Sequence, residues 1–227
     1  IQVVTQMTKQ GLTFVFDRKT GEPVWPIEER PVPGSDIPGE RPSETQPFPT
    51  LPEPFLRLGY SEDDLIDFTP ELRAEGKALA DQYTKGVLYT TPTMVTDTNK
   101  GTWLFPGTGG GPNWNGASFD PDTHIMYTPM RLKPQYAGLR KGDPATTNMD
   151  YYGGGGGGPI TGPRGLPIMK PPYSIVVATD MDTGKHLWRI PIGEADDSVK
   201  NHPDLQGLGL DFSKMGKFDV RPSPLLT

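Results

Sequence analysis

Thr179-Asp180-Met181-Asp182-Thr183-Gly184, closing on Trp188, is a phrase the chain also spells as Phe16-Asp17-Arg18-Lys19-Thr20-Gly21, closing on Trp25. A worn copy, Phe119-Asp120-Pro121-Asp122-Thr123, closes on Tyr127 and carries His124 where glycine stands in the other two. The phrase reads as a strand, a tight turn and a returning strand. Val15-Phe16 and Val176-Val177-Ala178 are β-branched and aromatic runs, Asp can bond turn amides, and Gly21 and Gly184 supply a positive φ without steric cost. Trp25 and Trp188 are expected on the returning strand, where a large flat ring can be buried against a neighbouring unit. One such hairpin could arise in any all-β protein. Two with the same Asp-to-Trp spacing, and a third in part, indicate repeats of a small sheet that cannot bury its own face. Irregular spacing between copies indicates loops grafted onto the stack, and the expected architecture is an all-β, partial β-propeller.

Composition agrees. With Gly 28 and Pro 27 in 227 residues, turn formers run at about double ordinary usage, while only 33% of residues are hydrophobic. That excludes a helical bundle and strains the idea of one self-contained core. The chain opens on the strand-like Ile1-Gln2-Val3-Val4 and ends on Pro222-Ser223-Pro224-Leu225-Leu226-Thr227, where another strand is expected to begin. It therefore reads as a piece of something longer. No apolar run is long enough to span a bilayer. A net charge of -6 without a basic cluster argues against nucleic acid as a partner. With no Cys and three scattered His (His124, His186, His202), the sequence offers no metal-ligand spacing.

Blades are expected around residues 1–25, 87–130 and 173–227, with an insertion at about 26–86 and a Gly-rich loop at about 131–172. From Pro26 to about Pro54 the density of Pro predicts an extended excursion over the surface, anchored through Phe48, Phe55 and Leu56. Ser61-Glu62-Asp63-Asp64 and Thr69-Pro70-Glu71-Leu72 carry helix-start chemistry, a cap followed by acids and by Pro at the first helical position. One or two short helices are expected there. Strand character resumes at Val87-Leu88-Tyr89-Thr90 and at Thr102-Trp103-Leu104-Phe105.

Gly107-Thr108-Gly109-Gly110-Gly111-Pro112-Asn113-Trp114-Asn115 follows a strand, and Gly153 to Gly158 is a run of glycines. Neither is a phosphate cradle, because the Lys-Ser/Thr of a P-loop is missing and no long helix follows. The second run predicts mobile backbone. In the first, glycine permits close backbone approach, while Asn113 and Trp114 bring a polar amide and a flat surface. Taken singly, Lys9 reads as an exposed turn lysine, Asn113 as a turn maker and Trp114 as packing between blades.

Together, Thr8-Lys9-Gln10-Gly11 leading into Leu12 to Gly21, Phe68-Thr69-Pro70-Glu71-Leu72-Arg73, Gly109-Gly110-Gly111-Pro112-Asn113-Trp114 and Lys170-Pro171-Pro172-Tyr173 resemble a known family. It is that of the quinoprotein dehydrogenases of the glucose dehydrogenase type, dependent on pyrroloquinoline quinone (PQQ). The repeated phrase resembles the tryptophan-docking motif that interlocks the blades of this family's eight-bladed propeller. The resemblance implies an oxidoreductase acting on a sugar, polyol or alcohol hydroxyl, with hydride passing to PQQ and electrons to a quinone or other acceptor. It implies PQQ on the propeller axis, held with Ca²⁺ or Mg²⁺, and a periplasmic protein, soluble or attached through a missing N-terminal part. Lys9 aligns with the family lysine at the quinone carbonyls, Asn113 with the asparagine that bonds the cofactor, and Trp114 could wall the pocket. The general-base Asp and the metal ligands are expected upstream of Ile1, so this piece alone is expected to be inert. The competing expectation is a non-catalytic propeller scaffold of the same repeats, which binds protein partners and has no reason to aim a cation and an amide at the axis.

Overall fold

A computed structural model describes residues 1–153, 158–218 and 220–227. Its main sheet is built from the repeated phrase. Strand β11 (Ser174–Asp180) turns through Asp180 to Gly184 into β12 (Lys185–Pro191), and the worn copy makes the hairpin of β7 (Ser118–Asp120) and β8 (Ile125–Arg131). In each turn the aspartate holds the chain: Asp180 Oδ1 accepts from the Asp182 amide at 2.9 Å and Oδ2 from the Thr183 hydroxyl at 2.8 Å. Asp120 repeats both bonds with Asp122 and Thr123, at 2.9 and 2.7 Å. Asp17 uses the amides of Lys19 and Thr20. These donors hold the three carboxylates below their usual range, the Thr20 amide foremost for Asp17, the Thr123 hydroxyl for Asp120 and the Thr183 hydroxyl for Asp180. Gly21 and Gly184 have φ of 77° and 73°, and His124, standing in the glycine position, is forced to 56°.

The four strands form one antiparallel sheet in the order β12-β11-β8-β7. The segments around 87–130 and 173–227 were expected as separate blades, yet the two hairpins within them share this sheet. The physical reason is the register between β8 and β11, which runs unbroken from Ser174↔Arg131 to Asp180↔Ile125. Tyr127 and Trp188 both lie opposite Ala178, from either side, and their rings meet at 5.8 Å. Trp188 remains 40% exposed, so its burial against a neighbouring unit is not seen within this chain.

The first copy behaves differently. Strands β1 (Val3–Met7) and β2 (Thr13–Asp17) pair as a ribbon, but after Gly21 the return is a single bridge, Phe16↔Pro23, and Trp25 lies in a bend, half-buried. Pro23 and Pro26 remove the donors a continuous ladder would need. The Pro-rich stretch that follows is not purely extended. It forms a ribbon of β3 (Ile27–Pro31) and β4 (Thr45–Pro49), with Pro31, Pro47 and Pro49 tolerated because both strands have an open edge. Arg30 lies over the Phe48 ring at 5.2 Å.

Helix α1 (Pro70–Ala80) begins as its sequence dictates, with the Thr69 hydroxyl accepting from the Leu72 amide at 3.2 Å and Pro70 at the first position. On its buried face Leu72 joins Ile66 and a cluster contributed by Leu166, Tyr173, Val199, Leu205 and Met215, Gly76 lies against Ile66, and Ala80 joins a separate cluster with Leu65, Trp103 and Ile168. The insertion is thus built into the core with the segment after β12. Phe55, 1% exposed, closes a second cluster over Met126, Met130, Ile175 and Val177 on the four-stranded sheet. Burial of a ring of this size contributes roughly 1.5–3 kcal/mol.

The strand expected at Val87 to Thr90 is a turn, with Tyr89 at φ 68° and one bridge from Val87 to Gly59. Strands β5 (Thr93–Met94) and β6 (Thr102–Leu104) each pair with β9 (Gln135–Lys141), whose other neighbour is β10 (Tyr151–Gly153). The region read as a Gly-rich loop therefore contains two strands. The mobile backbone expected in the glycine run falls mostly on residues 154–157, outside the described residues.

Candidate functional site

Lys9 and the glycine loop that carries Asn113 are brought together. Lys9 sits in the tight connection from β1 to β2, closed by Thr8 and Leu12 and by Gly11 at φ 83°. Its carbonyl accepts from the Gly111 amide at 3.1 Å, and its stem lies against Gly110 so closely that a Cβ there would come within 2.8 Å of Lys9 Cβ and Cγ. The side chain is exposed, and among the described residues Lys9 has no ion-pair partner.

Asn113 folds back onto the same loop. Its Nδ2 donates to the Gly109 carbonyl at 2.6 Å and its Oδ1 accepts from the Trp114 amide at 2.7 Å. One N–H and one lone pair of the carboxamide remain for another group. Trp114 stands 85% exposed, so neither blade packing nor a pocket wall is seen for it in this chain.

The loop is as tight as it is because its glycines leave room for other groups. A Cβ on Gly107 would meet Gln135 Cγ at 2.6 Å, one on Gly109 would meet Arg131 Nη2 at 1.7 Å, and one on Gly111 would meet Leu56 Cδ2 at 3.0 Å. Arg131, 7% exposed, donates from Nε to the Gly110 carbonyl at 3.3 Å. Gln135, 9% exposed, accepts at Oε1 from the Gly109 amide at 2.8 Å and from the Thr108 hydroxyl at 3.0 Å. Sequence reading missed Arg131 and Gln135. The spacing of Gly107, Gly109, Gly110 and Gly111 signals that something approaches closely, but not what, since Arg131 ends the following hairpin and Gln135 lies beyond it. The segment 222–224 runs beside the end of this loop, with Asn115 Nδ2 donating to the Pro222 carbonyl and the Ser118 hydroxyl to that of Pro224.

Leu56 joins this site to an open cleft of about 420 Å³, floored by Phe55, Phe105, Met169 and Ile175. Its rim carries Arg57 paired with Asp64 at 3.1 Å, and Lys170 paired with Asp67 at 3.6 Å. Among the described residues no group of three or more His, Asp or Glu could hold a metal ion.

The donors fit one side of a flat, oxygen-rich group: an ammonium with no ion-pair partner among the described residues, seated on the glycine loop, and a carboxamide with spare capacity on that same loop. The family model "PQQ: Glucose/ethanol/alcohol dehydrogenase, beta-propeller domain" matches residues 1–220. Similar curated proteins include the glycerol dehydrogenase large subunit of Gluconobacter oxydans, 33% identical over 218 residues, or 83% of this chain and 28% of that protein. The quinate/shikimate dehydrogenase (quinone) of Acinetobacter baylyi is 30% identical over 84% of this chain and 25% of its own length. Quinoprotein glucose dehydrogenase A of Acinetobacter calcoaceticus is 29% identical over 95% of this chain and 29% of its own. The chain thus spans 25–29% of the length of these relatives.

Proposed function

Because the chain belongs to the family of PQQ-dependent glucose/ethanol/alcohol dehydrogenase β-propeller domains, we propose that it supplies part of the cofactor site of a dehydrogenase acting on a sugar, polyol or alcohol hydroxyl. The observation that carries this reading is the seating of Lys9 on the same glycine loop that Asn113 closes. PQQ, when bound, supplies the acceptor for a hydride from the substrate carbon, and electrons leave to a quinone or other acceptor.

Lys9 would hold the bound group through a carbonyl oxygen, where a fixed cation would offset negative charge and lower the barrier. Asn113 orients that group through its remaining N–H. Gly110 and Gly111, having no side chains, let Lys9 and Leu56 close on the loop, which holds the cation beside Asn113. The general base and the ligands of a Ca²⁺ or Mg²⁺ ion are proposed to come from outside this chain. A periplasmic location is proposed on the resemblance; among the described residues no helix is long and apolar enough to cross a membrane.

One observation favours the scaffold alternative: both ends of the Asn113 carboxamide are already engaged within its own loop, as in a turn maker. The test is to load the complete protein carrying this chain with PQQ and Ca²⁺ and to follow dye reduction with glucose, glycerol, quinate and simple alcohols. Lys9→Ala should lower kcat roughly 10²- to 10³-fold, the scale of losing one charge-stabilising donor, with thermal unfolding unchanged. No reduction with any substrate and no retained quinone absorbance would give the case to the scaffold.

A further inference from the structure

We infer that Gln135 is a positioning residue that aims the Asn113 carboxamide, acting through the two faces of one glycine. The inference rests on the cofactor-site reading above and adds a residue to it.

Gly109 is the junction. Its amide donates to Gln135 Oε1 at 2.8 Å, and its carbonyl accepts from Asn113 Nδ2 at 2.6 Å. Rotation of this residue about its own backbone would break one bond or the other. Thr108 adds a second bond to the same Gln135 oxygen at 3.0 Å, so both lone pairs of that oxygen are used and the amide group has a defined orientation. Gln135 is itself held: it opens β9, faces Leu104 of β6 across the ladder, and is nearly buried. A rigid strand end thereby reaches into a loop and fixes the residue from which Asn113 hangs. The fit is reciprocal, because only a residue without Cβ at 107 leaves space for the Gln135 stem. Lys9 meets the loop one and two residues further on, at Gly110 and Gly111, so the lock on Gly109 also sets the distance between the cation and the amide.

The experiment is a double-mutant cycle on the complete protein, reading PQQ binding to the apo-protein by fluorescence quenching and, separately, kcat and KM. Gln135→Leu should weaken PQQ binding roughly tenfold, the size of one lost oriented interaction. Gln135→Glu, which keeps an oxygen acceptor, should stay within about twofold. In an Asn113→Ala background, Gln135→Leu should add little, since its effect passes through Asn113. Additive losses, or parental PQQ binding by Gln135→Leu, overturn the inference. If Gln135→Leu does not fold, Thr108→Val takes its place in the cycle, removing one bond to the same oxygen from an exposed position. A loss of about two- to threefold that disappears in the Asn113→Ala background supports the lock, and no loss overturns it. Lys9→Ala and Asn113→Ala separate the two levels of the argument: unchanged PQQ binding in both sinks the cofactor-site reading itself. Weakened binding in those two with a silent Gln135→Leu sinks only the positioning role.

Discussion

Gly21 and Gly107 are the same residue serving opposite demands. Gly21, in a repeat turn, has φ +77° and nothing within 4 Å of where a Cβ would stand. Gly107, in the loop beside Lys9, has an ordinary φ and a Gln135 carbon 2.6 Å from the same point. The turn needs a backbone conformation and the loop needs space. A hairpin turn can therefore be worn, as it is at His124, while the loop tolerates no side chain without moving its neighbours.

The sharpest way to break this contrast is to add one methyl group at each place. Gly107→Ala must displace the stem of a nearly buried side chain, and it should cost about 2 kcal/mol in urea unfolding and weaken PQQ binding as well. Gly21→Ala meets no atoms and carries only the left-handed penalty, about 1 kcal/mol, with PQQ binding unchanged. Equal costs at the two sites, or a loss of PQQ binding from Gly21→Ala, would erase the distinction.

The smallest expected effect concerns pH and separates the regions by their titrating groups. His186, on β12 just past the Gly184 turn, stacks on Phe55 at 5.3 Å, donates from Nε2 to the Glu53 carbonyl at 2.9 Å and accepts at Nδ1 from the Thr179 hydroxyl at 3.0 Å. Burial, and then the Arg189 charge, push its pKa below the usual histidine value, against a smaller opposing pull from Glu53. The unfolded chain therefore takes up the proton first as pH falls. Stability should be level above about pH 6.5 and decline below it, as far as the depressed folded pKa. Urea midpoints measured from pH 8 to 5 check this, and His186→Asn should flatten the slope. The loop contacts around Gly109 involve no histidine, so its PQQ affinity should not share that slope.

What could be read from the sequence follows from how far each interaction reaches. The Asp-x-x-Thr turns, the Thr69 cap and Pro70 are satisfied within a few residues, so local chemistry sufficed for them. The sharing of one sheet by two copies of the phrase was not legible, because the pairing of β8 with β11 is decided across residues 132–173. The β3–β4 ribbon was hidden by its prolines, which are disfavoured in a central strand but acceptable where each strand has an open edge. At the site, Lys9 and Asn113 were found through resemblance, while Arg131 and Gln135 act on the loop from a distance that no short pattern spans.

The unbroken ladder between β8 and β11 has a consequence for how this protein can vary. Arg131 and Ser174 face each other at one end of that ladder, so everything from 132 to 173 leaves and re-enters the sheet through a single doorway. Closing a longer chain through the same doorway adds only a logarithmic entropic cost. Length can thus be added in the exposed turn between β9 and β10, residues 142–150, with no change in strand alignment, while Leu166, Ile168, Met169 and Tyr173 stay fixed in the core and Gln135, just inside the threshold, keeps its hold on Gly109.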